Sequence, residues 1–129
     1  MTSTIAVVAL LASAAWAEDR CAASDGKVDM VIHSVVHDVA RYQAYRSALA
    51  ASGLIANFGG HVLAVGTRLN AAPEMLEGQW PDNRHAFVIR WPCRAAAKAF
   101  WDSESYQRDL IPLRAGAGTF DVALYPAVE

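Results

Sequence analysis

The chain has 129 residues, 54% of them hydrophobic, and carries a net charge of −2 with an isoelectric point near 6.0. That length suits one domain with a real core rather than two domains. Its 11 Lys and Arg form no cluster and are outnumbered by 13 Asp and Glu, which speaks against nucleic-acid partners, because neutralising phosphates needs a basic face.

Residues 1–17 have the form of a secretory signal. An apolar run over 5–12 leads to Ala15-Trp16-Ala17, the small-x-small pattern of a cleavage site before Glu18. The apolar run is shorter than the roughly 20 residues a membrane-spanning helix needs, so no stable membrane anchor is expected after cleavage. Thr2-Ser3-Thr4 departs from the usual pattern in carrying no Lys or Arg, and a retained N-terminal segment is the alternative. The expected location is the periplasm or the outside of the cell. Residues 18–27, with Ser24-Asp25-Gly26, read as a flexible leader. Export places Cys21 and Cys93 where disulfides are permitted. They either bridge the leader to the start of the second helix or remain two unpaired thiols. No Cys-x-x-Cys spacing and no neighbouring His supports a zinc site.

Strand periodicity begins at Val28. Val28, Met30, Ile32, Ser34 and Val36 fall on one face, and Asp29, Val31, His33 and Val35 on the other. Both faces are partly apolar, whereas a sheet covered on one side would show a polar second face. Another subunit is the expected cover. Asp38 suits a helix N-cap, and Tyr42, Tyr45, Leu49, Gly53 and Ala56 follow the spacing of one helix face. The helix is expected to end at Gly59-Gly60, with Gly53 allowing close approach to the sheet. Residues 61–66 form a second strand and 67–74 a loop. Residues 84–91 form the clearest strand, with His85, Phe87, Ile89 and Trp91 on one face, and Pro92 ends it. Residues 94–102 are helical. Ser103 caps a further short helix carrying Tyr106 and Leu110, which Pro112 is expected to cut. Residues 119–125 are the last strand.

The order is β-α-β-β-α-β, so the fold class is α+β and ferredoxin-like: a four-stranded antiparallel sheet with helices on one face. The domain spans residues 28–126.

Four motifs carry a family resemblance: Tyr42-x-x-Tyr45-Arg46; Phe58-Gly59-Gly60-His61; Leu76-Glu77-Gly78-x-Trp80-Pro81 followed by Arg84; and Phe100-Trp101-Asp102-Ser103-x-x-Tyr106. In this order they resemble the bacterial family called domain of unknown function 1330. The resemblance implies that two sheets face each other in a dimeric α/β barrel, and it implies no settled reaction. The family pattern has a basic residue after Gly-Gly and another ending that strand; here His61 and Val65 stand in those places, and residues 68–74 read as an insertion.

Glu77 and Arg84 flank a turn. They could grip a polar ligand, Arg84 pairing with a carboxylate, or hold the turn by pairing with each other. His85 lies on an apolar strand face, where a core role is the commoner one, and His61 is the other weak candidate for a general base. His33 and His37 lie roughly 13 Å apart along the strand, too far to share a metal. Trp80, Trp91, Trp101, Tyr42, Tyr45 and Tyr106 would build the core and dimer interface or line an aromatic slot. No nucleotide-binding loop or Gly-x-Ser-x-Gly motif is present, so no cofactor is expected. The sequence therefore implies a small-molecule-binding homodimer, with Glu77, Arg84, Arg68, Trp80 and Tyr106 as ligand-binding candidates. The first alternative is a cofactor-independent monooxygenase or isomerase, in which His85 or His61 deprotonates the substrate and Arg84 or Arg68 stabilises its anion. The second is an interaction module without ligand.

Overall fold

Apolar alternation in the strands and a helix capped by Asp38 produce the observed order. In a computed structural model, which describes residues 20–66, 73–81 and 83–128, the elements are β1 (Val28–Val36), α1 (Val39–Ser52), α2 (Leu54–Asn57), β2 (His61–Gly66), β3 (Arg84–Trp91), α3 (Arg94–Asp102), a π-helical turn (Ser105–Leu110), a 3-10 turn (Ile111–Arg114) and β4 (Gly118–Pro126). The sheet order is β2-β3-β1-β4, with every neighbouring pair antiparallel. This is the ferredoxin-like α+β arrangement. The segment assigned to a signal and the candidate Arg68 lie outside the described residues.

The helices cover one face. Met30, Ser34 and Val36 of β1 and His85, Ile89 and Trp91 of β3 are buried beneath them, with Met30 opposite Ile89 and Ser34 opposite His85. Phe100 of α3 links the layers, its ring 4.9 Å from Trp91 and 4.4 Å from Tyr106. The other face carries Val31 in register with Val88 on one side and Ala123 on the other. Beside them Asp29 and Arg90 form a two-pronged ion pair at 2.9 and 3.1 Å, and the guanidinium holds the Asp29 carboxyl below its usual range.

Two helical expectations need correction. Gly53 does not lie inside one long helix facing the sheet. It sits at φ 67, donates its N–H to the Ala50 carbonyl and ends α1. No neighbour presses on it, since a Cβ there would meet Asn57 at 3.8 Å. A left-handed residue stops a helix, and glycine takes that conformation without penalty. Pro112 does not end the short helical run that follows Ser103, which continues to Arg114. Ser103 caps that run as expected, its hydroxyl donating to Phe100 O and accepting the Tyr106 N–H. The chain then widens into the π-helical turn, and Pro112 stands in the first turn of the 3-10 segment, where no backbone donor is missed. Asp38 does cap α1, accepting the Arg41 N–H at 3.0 Å.

At the start of β4, Gly118 lies against β1 so closely that a Cβ would overlap the Val35 carbonyl oxygen. A disulfide joins Cys21 to Cys93, with Cα atoms 5.7 Å apart and a separation of 72 positions in sequence. Beside it the leader makes a turn in which Asp25 accepts the Ala22 N–H.

Candidate functional site

Residues 42, 45, 46 and 49 share one face of α1, and that face does not close fully onto the sheet. The gap and its open mouth together enclose about 400 Å3, of which about 30 Å3 is free space wide enough for water, so a larger guest enters only as the half-buried side chains at the mouth move aside. α1 contributes Tyr42, Tyr45 and Arg46, the sheet Phe87 and Phe120, and the C-terminal turns Tyr106 and Arg114. Arg46, Phe87 and Phe120 are half-buried, so the pocket is reached from solvent.

At its inner end the hydroxyls of Tyr45 and Tyr106 lie 2.7 Å apart and buried. Burial pushes both phenols up in pKa, strongly for Tyr45, where the neighbouring Tyr106 adds to the effect; Arg114 pulls the other way on both. Both stay protonated at neutral pH. One donates to the other, and the second O–H makes no further bond among the described residues. The Arg114 guanidinium stands 4.2 Å from the ring centre of Phe120 and 5.2 Å from that of Tyr45. Arg46 stands 5.5 Å from that of Phe87. Such contacts attract a cation to the ring face.

The sequence candidates separate into several places. Tyr106 lines the pocket. His85 is buried just outside it, behind the Tyr42 ring at 5.2 Å. Its Nδ1 has no hydrogen-bond partner, and burial, aided by Arg46, holds its pKa below the ordinary value. Arg84 and Trp80 belong to the opposite face of the sheet. The Arg84 guanidinium lies 5.2 Å from the Trp80 ring, which meets His33 edge-on at 5.9 Å. Arg84, His33 and Asp121 line an open groove there of about 300 Å3. Glu77 is exposed and does not pair with Arg84 or with any other described residue. His61 is exposed at the start of β2. Among the described residues no group of three or more His, Cys, Asp or Glu could hold a metal ion.

Sequence reasoning missed Arg114 altogether and noticed Arg46 only as part of a motif. The signal for Arg46 was its place on the Tyr42, Tyr45, Leu49 face of α1. Arg114 follows a proline in an aperiodic stretch and offers no such signal.

Among solved structures, the fold matches SnoaB, a cofactor-independent oxygenase from Streptomyces nogalater. The TM-score is 0.56 and the identity 19%, over 81% of this chain and 95% of that one. An asparagine-to-alanine mutant of SnoaB matches with a TM-score of 0.55 and 17% identity over the same shares. Identity this low establishes a shared fold and no more. No curated protein matches the chain in sequence. Residues 27–128, which hold the whole sheet and every wall of the pocket, match the domain of unknown function DUF1330, and the chain belongs to that family.

Proposed function

We propose that the protein is an exported homodimer that binds a small planar aromatic molecule in the pocket between α1 and the sheet. The observation that carries this reading is the pocket wall: ring faces from α1, from the sheet and from the C-terminal turns surround a buried pair of phenol hydroxyls. Aromatic walls supply stacking area, and a few convergent polar groups fix orientation. The pocket side chains include no activated nucleophile and no basic group poised near neutral pH, since both inner phenols stay protonated and His85 stands behind Tyr42. The Cys21–Cys93 bridge supports export, because disulfides persist in oxidising surroundings.

Native mass spectrometry of protein purified from its own host, with a thermal-shift screen of bicyclic aromatic compounds, tests the reading. A retained small molecule, or a melting temperature raised by several degrees at saturating ligand, is the expected result. Ligand-free protein that no compound stabilises would instead favour an interaction module.

The likeness to SnoaB favours a second reading as a cofactor-independent oxygenase. An electron-rich phenol can react with dioxygen once ionised, and the guanidinium groups of Arg46 and Arg114 would stabilise that anion. This reading rests on fold analogy, which is a weak guide to chemistry. Oxygen uptake by electron-rich polycyclic phenols, lost on blocking the pocket with Leu49→Trp, distinguishes it from binding alone.

A further inference from the structure

We infer that the pocket is selective for an anion: an aromatic molecule bearing a carboxylate or phenolate whose oxyanion is anchored by Arg114. The inference rests on the pocket reading above and adds the charge of the ligand and the residue that recognises it.

Arg114 is only 8% exposed. A guanidinium is always charged and presents five N–H donors in a planar fork. A buried charge is normally paired with a counter-charge or with hydrogen-bond acceptors. Arg114 has neither among the described residues; its contacts are the faces of Phe120 and Tyr45. Ring faces attract the charge, but they do not serve as the acceptors its fork would find in a carboxylate.

No described carboxylate pairs with Arg114. Asp102 pairs with Lys98, while Glu104 and Asp109 pair with Arg108. Asp29 is held by Arg90 on the far face of the sheet. The Arg114 nitrogens are also absent from the fully enclosed, partnerless group that includes His85 Nδ1 and Trp91 Nε1. Buried overall yet not sealed, the fork keeps open space on the pocket side.

The Tyr45–Tyr106 pair adds a second donor. Two phenols sharing one hydrogen bond leave one O–H unused. That proton and the Arg114 fork border the same pocket. An oxyanion between them would accept charge-assisted bonds from both, which neutral ligands cannot match. Phe120 and Phe87 are left to hold the aromatic body.

Isothermal titration of the full chain with three probes tests this: 2-naphthoate, 4-nitro-1-naphtholate at a pH where it is ionised, and the neutral isostere 2-naphthamide. The expected result is that at least one anion binds roughly tenfold to a hundredfold more tightly than the amide. Which anion does so separates a carboxylate ligand from a phenolate. Arg114→Gln should remove the preference while leaving amide binding, Arg114→Lys should retain part of it, and Arg46→Gln should keep most of it. Equal affinity for amide and anions overturns the anion assignment but leaves the pocket reading standing. A preference that survives Arg114→Gln overturns the role of Arg114. Failure of all three probes to bind removes the pocket reading and this assignment together. Should Arg114→Gln not fold, the wild-type comparison of acid and amide, together with Arg114→Lys, still decides the matter.

Discussion

His85 shows how one buried side chain couples to solution conditions. It lies under Tyr42, opposite Ser34 on β1, with its Nδ1 unpartnered. Burial first, and then Arg46, keep its folded pKa below the ordinary value of about 6.5. The unfolded chain therefore takes up the proton at higher pH than the folded one. The resulting stability is fully present above about pH 6.5 and is lost as pH falls from there toward the folded pKa. Chemical denaturation at stepped pH should show the wild type losing stability between about pH 7 and 5 more steeply than His85→Gln. Parallel slopes would mean that His85 does not titrate differently in the two states. The sequence did make this residue legible as a core histidine, because it alternates with Phe87, Ile89 and Trp91. Arg114 was not legible, because its burial is created by the Tyr45 ring of α1, far away in sequence, and by Phe120, which meets it only once the chain has turned into β4.

Strands were easier to read than helices. A period of two over β1 and β3 survives any detail of packing, and Pro92 marks the end of β3 directly. Helix α1 was read too long because a glycine on the inner face suits either close packing or a left-handed stop, and spacing alone does not separate them. The π-helical turn was invisible for a related reason. Tyr106 and Leu110 sit four apart, as on an ordinary helix, and only the wider winding and the Ser103 cap fix how they enter the core. The junction of β4 with β1 offers a test at this scale. Gly118→Ala places a methyl against the Val35 carbonyl oxygen, and a rigid backbone atom cannot turn aside as a side chain can. A loss of about 3 kcal/mol or more in urea denaturation is expected. A change within about 0.5 kcal/mol would show that the two strands separate there at little cost.

For the whole molecule, the proposed assembly turns on the sheet face away from the helices. Val31, Val88 and Ala123 line up across three strands, with Trp80 37% and Tyr125 57% exposed at its borders. Polar groups on this face, the Asp29–Arg90 pair, His33 and Asp121, flank that apolar strip rather than replace it, whereas a sheet wet on that side would be polar throughout. In the proposed homodimer a second copy covers this face. Sedimentation at micromolar concentration should give a dimer for the wild type and a monomer for Val88→Glu. Leu113→Glu, placed on the 3-10 turn of the helical layer, should leave the dimer intact. A monomeric wild type, or a dimeric Val88→Glu, would remove this face from the assembly.

The Cys21–Cys93 bond makes part of the backbone a closed loop. β1, α1, α2, β2 and β3 lie inside it, while α3, the C-terminal turns and β4 form a free tail that folds back to pair with β1. Connectivity in the inner part is therefore redundant. A protease that cuts within the exposed residues 73–81 opens the loop without producing a second molecule, and a reductant alone opens it without shortening the chain. Only the two acting together release a fragment. Damage by either agent singly leaves both sides of the pocket attached to each other.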